Sequence, residues 1–242
     1  METTNWQELS LRLTSALHLA TSPVAITLSA AAPAGVAPFG APMSEAAPDG
    51  RRGRVPAGCV FWVHGATETF TTAPEDHGNC SVGRVTHGLA TLAEVAGNDD
   101  VAALLASGWV SEEAVGGIPT VSERPGAVTY GPLAETPESV DPSVVLLRVN
   151  GRQMMVLSDA LPWLSIEGKP QCHIVALAAE RGHPAASVGC ALSRARTGMT
   201  PDEMTVALPA GQLAESVRAI EATAEVDTVV ARYAAQDARR FA

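Results

Sequence analysis

Ser143-Val144-Val145-Leu146-Leu147-Arg148-Val149, closed by Asn150-Gly151, decides the fold class. A nearly unbroken apolar run suits a strand covered on both faces, because a strand with one wet face alternates apolar and polar side chains. Past Asn150-Gly151, the positions of Met154, Met155, Leu157 and Leu161 predict a helix, with Met154 and Met155 read as core filler rather than thioether metal ligands. A covered strand feeding a helix predicts an α/β (or α+β) fold: a mixed sheet flanked by helices.

Upstream, Trp6, Leu9, Leu13 and Leu17 predict an opening amphipathic helix, with Thr4 and Gln7 as its capping box and Pro23 as its stop. Val24 to Leu28 reads as a buried strand. Residues 30–54, rich in Ala, Pro and Gly, read as a mobile surface loop. Cys59 to Val63 and Thr67 to Thr72 predict a hairpin, and one helical pattern carries Val85, Leu89, Leu92 and Val95. Short helices are expected over 99–107 and 111–116, and strands over 127–130 and 203–208. A long helix begins near Leu213, and Trp62 and Trp163 read as core residues.

The chain has 242 residues, 46% of them hydrophobic, so a core can form without disulfides. Its net charge of −10 disfavours a nucleic-acid partner, and the short Arg51, Arg52, Arg54 and Arg194, Arg196 clusters do not reverse that. The first residues lack the basic start and apolar run of a signal peptide, and no run approaches the ~18 apolar residues of a membrane span. A cytoplasmic protein with a small-molecule substrate is expected, without nucleic-acid or membrane partners; a homo-oligomer is left open. No GxGxxG, P-loop or nucleophile-elbow pattern occurs.

Cys59, Cys80, Cys172 and Cys190 are the four cysteines. In a reducing compartment they read as free thiols, metal ligands or redox groups before disulfides. Each pair lies about twenty residues apart, against the C-x₂₋₄-C knuckle of a zinc module, so a shared site would be assembled by the finished fold. Cys80, ahead of a helical pattern, and Cys190 are placed where a helix N-terminus lowers a thiol pKa. These considerations predict an iron–sulfur site, [4Fe–4S] first, on Cys59, Cys80 and Cys190, with Cys172 as fourth ligand or working thiol. Arg194 and Arg196 would offset the cluster's charge; zinc and haem are the alternative groups. His77, beside Glu75 and Asp76, is the candidate acid/base residue, its pKa raised by those carboxylates. Competing readings are a non-catalytic metal or haem carrier or sensor, and an interaction protein with idle buried thiols.

The chain also carries a loose internal likeness. A strand, Cys59, His77 and Cys80-Ser81-Val82-Gly83 in the first part answer a strand, Cys172, His183 and Ser187-Val188-Gly189-Cys190 in the second. Duplication into halves 1–135 and 136–242 and chance similarity are both open. Duplication would bring two cysteines from each half to one interface.

Pro23-Val24-Ala25-Ile26, Cys59-Val60-Phe61-Trp62, Glu75 through Gly83, and Ser187-Val188-Gly189-Cys190 through Arg194, Gly198 and Asp202-Glu203-Met204 together resemble the bacterial and archaeal family called domain of unknown function 169. The resemblance covers nearly the whole chain and implies one family unit, residues 1–242, with cysteines at these positions. It implies no reaction.

Overall fold

Trp6, Leu9, Leu13 and Leu17 bury one face of α1 (Trp6–Leu17). The side chain of Asn5 caps it by accepting from the Glu8 N–H at 2.9 Å, one residue later than the Thr4–Gln7 pairing predicts. The computed structural model describes residues 4–40 and 58–241. Part of the loop expected over 30–54 therefore lies outside the described residues. Its first part is pinned: Phe39 N–H donates to Thr71 O and Thr71 N–H to Ala37 O, both at 2.9 Å, and the Phe39 ring is buried against Phe61 and Phe70.

In chain order there follow β1 (Val24–Ser29), α2 (Gly58–His64), β2 (Phe70–Thr72), α3 (Ser81–Thr86), α4 (Leu92–Val95), α5 (Asp99–Ala106), α6 (Glu112–Gly116), β3 (Ala127–Pro132) and β4 (Val144–Val149). Then come α7 (Gly151–Ala160), β5 (Ser165–Glu167), α8 (His173–Arg181), β6 (Ala185–Ser187), α9 (Ala191–Thr197), β7 (Met204–Pro209) and α10 (Leu213–Ala238). The strands form one mixed seven-stranded sheet in the order β2-β3-β1-β4-β7-β6-β5, an α/β architecture. Only β5 and β6 run parallel among its paired strands.

The apolar run at 144–149 is covered on both faces, as its composition predicts. Val145, Leu147 and Val149 meet α1, α7 and α10 on one side, while Val144 and Leu146 meet α2 and α8 on the other. Each fully buried aliphatic side chain there contributes about 2 kcal/mol.

Several local expectations change. Cys59 to Val63 is helical, in α2, because Phe61 and Trp62 are buried and Phe61 stacks on Tyr130 of the sheet at 5.5 Å. A short apolar run carries no periodicity that separates a buried helix from a strand. β2 accordingly pairs with β3, not with a hairpin partner at 59–63. The single helix expected through Val95 is two, α3 and α4: Gly88 at φ +71° turns the chain, and Thr91 with Glu94 forms a new capping box. Met155 and Trp163 are exposed, not core.

The same order of elements occurs twice about the β1–β4 pair. β1, a parallel contact at Pro38, α2, β2, α3 and β3 answer β4, β5, α8, β6, α9 and β7. In each series the last strand pairs antiparallel with the first and ends in a proline, Pro132 or Pro209, that opens a 3-10 turn. The segment carrying α4, α5 and α6 has no counterpart in the second series, and α7 has none in the first.

Candidate functional site

All four cysteines line one cavity of about 270 Å³. Cys59 lies in the first turn of α2, Cys172 immediately precedes α8, and Cys80 and Cys190 are the N-caps of α3 and α9. Cys59 thus corresponds to Cys172 and Cys80 to Cys190 in the repeated order of elements. The Ser-Val-Gly likeness does not superpose, since Ser81-Val82-Gly83 lies inside α3 whereas Ser187-Val188-Gly189 precedes α9. All four thiols are free.

Cys190 caps α9 with its own sulfur. Ser193 N–H donates to Cys190 Sγ at 3.4 Å, and the Cys190 N–H donates to Ser193 Oγ at 2.9 Å. At α3 the cap comes from a distance: Asp100 of α5 accepts the Ser81 N–H at 2.9 Å and the Ser81 hydroxyl at 2.7 Å. Asn98 donates to the same hydroxyl at 2.8 Å. A carboxylate therefore already occupies the first N–H of α3.

That arrangement reverses one expectation. The Cys80 thiol is pushed up, not down, chiefly by burial and further by Asp100, which together outweigh the Gly83 N–H and Arg196. Burial also pushes the Cys59 thiol up to about 12, aided by neighbouring Cys80 and opposed by Arg196. Cys172 is raised most clearly, again by burial and then by Cys80. These three sulfurs carry protons at neutral pH until something displaces them.

The cation at this site is Arg196, not Arg194. Arg196 is on the cavity wall, whereas Arg194 donates to the carbonyls of Thr200, Pro201 and Glu203 and holds the turn before β7. The two differ by half a helical turn, which sequence alone does not resolve without the orientation of α9.

His77 is not on the cavity wall. It is fully buried, and its pKa is lowered well below the ordinary histidine value, first by burial and then by His87 and Arg84. Its carboxylate neighbour Asp76 is engaged elsewhere, accepting the Ala73 N–H at 2.9 Å. Thr72 gives its hydroxyl proton to Val128 O at 3.0 Å, so His77 Nε2 donates to Thr72 Oγ1 at 2.9 Å. His87 Nδ1 donates to Gly83 O at 2.8 Å. The two neutral rings back the cavity through Gly58, where a Cβ would lie 3.4 Å from His87 Cε1 and 3.6 Å from His77 Nδ1.

Three wall residues carry no motif that sequence reading could have found. Trp109 reaches the cavity from the connection between α5 and α6, and Lys169 lies 4.6 Å over its ring. Leu104 contributes from α5. Gln171 is buried; it donates to Thr205 Oγ1, and its Oε1 has no hydrogen-bond partner.

The family model for domain of unknown function 169, described as an uncharacterised ArCR family, matches residues 12–219. The chain belongs to this family. Searches of curated proteins and of solved structures return no match. The domain of unknown function 169 match spans both series of elements and all four cavity cysteines. Among the described residues, no helix is long and apolar enough to cross a membrane.

Proposed function

We propose that this protein holds a [4Fe–4S] cluster on Cys59, Cys80, Cys172 and Cys190 and uses it for redox or sulfur chemistry on a small molecule. The observation that carries the reading is the convergence of all the chain's cysteines, from four separate elements, on one cavity. Idle core thiols have no reason to gather at one wall.

The spacing of the donors bears on the kind of group. Among the described residues, no three His, Cys, Asp or Glu side chains are grouped as ligands of one metal ion. A zinc ion with Zn–S bonds of about 2.3 Å draws its sulfurs together around one centre. A cluster gives each thiolate its own iron, so the sulfurs stand around a volume instead. Four cysteines lining one 270 Å³ cavity support a group of that kind.

The chain's own groups have clear tasks in this reading. The four thiols lose their protons on ligation, and the burial that raises the pKa of Cys59, Cys80 and Cys172 then shields the bound group. Arg196 offsets net negative charge beside Cys80. Gln171 Oε1 offers an acceptor to a bound molecule. A bound cluster supplies electron transfer, or an open iron where one cysteine is released.

The deciding measurement is iron and acid-labile sulfide on protein purified without oxygen, with a visible spectrum. About four irons and four sulfides per chain with broad charge-transfer absorption are expected. Colourless protein lacking both after reconstitution with iron and sulfide would overturn the reading.

A further inference from the structure

Next to the thiol cavity lies a second one, of about 280 Å³, lined by α3, α4, α5 and α6. Val85, Leu92, Val95, Val101, Leu105 and Ile118 are among its wall residues, and Glu112 is its one charged member. These helices do not close on one another. Neither α5 nor α6 contains a buried residue, although both turn aliphatic side chains inward. Protein interiors are ordinarily packed to crystal density, and a volume of this size lined by valine and leucine offers water almost no partners.

Val82 and Leu104 belong to both walls, so the chamber and the thiol cavity adjoin across these two side chains. Three of the four helices that build the chamber, α4, α5 and α6, come from the segment with no counterpart in the second series of elements. The thiol cavity beyond Val82 and Leu104 is lined by Arg196 and by Gln171, whose buried Oε1 has no partner.

We propose that the molecule acted on carries an unbranched hydrocarbon arm, which lies in the chamber, and a polar, anionic end directed past Val82 and Leu104 toward Arg196. This deepens the thiol-site reading and rests on it for the chemistry, but the binding of the arm is separable from the bound cluster. A fatty-acid-like carboxylate is the chemical class the two ends fit: aliphatic walls for the chain, a guanidinium for the carboxylate and an amide oxygen for a hydroxyl or protonated group nearby.

The test uses the full chain and cis-parinaric acid as a fluorescent probe, with hexadecanoate, hexadecanol and butanoate as competitors. Saturable binding at one site per chain, displaced by hexadecanoate and not by butanoate, is expected. Filling the chamber with Val101→Trp or Leu105→Trp should weaken the probe by about tenfold or more, while Arg196→Gln weakens hexadecanoate and leaves hexadecanol unchanged. Circular dichroism and iron content are measured on each variant. Variants that fold and bind the probe as the parent does would overturn the proposal, as would no saturable binding to the parent. Lost probe binding with iron retained locates the effect in the chamber; chain binding by a protein that never takes up iron would sink the cluster reading and leave the chamber standing.

Discussion

Cys80 and Cys190 hold the same place in the two series of elements, each as the N-cap of a short helix that follows strand β2 or β6. One is half-buried beside Asp100 and Arg196, and the other accepts the Ser193 N–H on its own sulfur.

Serine is among the best N-cap residues but a poor ligand for iron. Cys80→Ser and Cys190→Ser should therefore keep their helices, with stability lowered by no more than about 1 kcal/mol, while losing most bound iron. The paired readout is thermal melting and iron per chain. Full iron in both variants is incompatible with either thiol being a ligand. For Cys172→Ala, iron retained with activity lost would make it a working thiol, and iron lost would make it a ligand.

The protonated state of the buried thiols predicts their reactivity. With Cys59 pushed up to about 12, its thiolate fraction in unliganded protein should rise about tenfold per pH unit through the alkaline range. Iodoacetamide labelling of Cys59, followed by mass spectrometry, should show a logarithmic rate climbing without a plateau up to about pH 10, where an ordinary thiol of pKa about 8.5 has levelled off. A plateau near the ordinary value would show that the cavity does not shield this sulfur.

His87 sets an acid limit on stability. Burial lowers its pKa to about 4, so between that value and about 6.5 the unfolded chain binds a proton that the folded chain does not. Stability therefore rises with pH across this window, falls as pH drops through it, and gains no further slope from this residue below about 4. The full effect is roughly 3 kcal/mol. His77, also lowered, acts in the same direction. In urea titrations at several pH values, His87→Gln should flatten the loss on acidification; an unchanged slope would assign the acid sensitivity to other groups.

Gly88 links the cavity helix α3 to the α4–α6 segment at φ +71°, and a Cβ there would lie 2.8 Å from Val121 O. Gly88→Ala meets both backbone strain and a carbonyl that is itself held in place, because Val121 N–H donates to Thr86 O at 3.1 Å. A loss of about 1–3 kcal/mol in equilibrium unfolding is expected. Gly97→Ala, with nothing within 4 Å of its Cβ and no positive φ, is the control and should be near neutral.

Much of the framework is legible in the residue order. The apolar runs at β1 and β4, the helical spacing of Trp6 through Leu17, Ser111 ahead of Glu112 and Glu113, and Asn150 ahead of α7 all encode local structure through periodicity and capping. These signals act over a few residues, so they survive without knowledge of the fold.

What the sequence could not decide depends on which surfaces meet. Cys59 to Val63 is helical because Phe61 and Trp62 find a packed place above Tyr130, a contact between segments about seventy residues apart. Arg196 and not Arg194 faces the thiols because α9 is docked in one rotation about its axis. Cys80 is raised and not lowered because desolvation and a carboxylate from α5 outweigh the end of a six-residue helix. Composition and spacing singled out four cysteines and argued that only a finished fold could join them. The sheet brought them to one wall, and the apolar chamber beside them exists only through the placement of α3 to α6 in three dimensions.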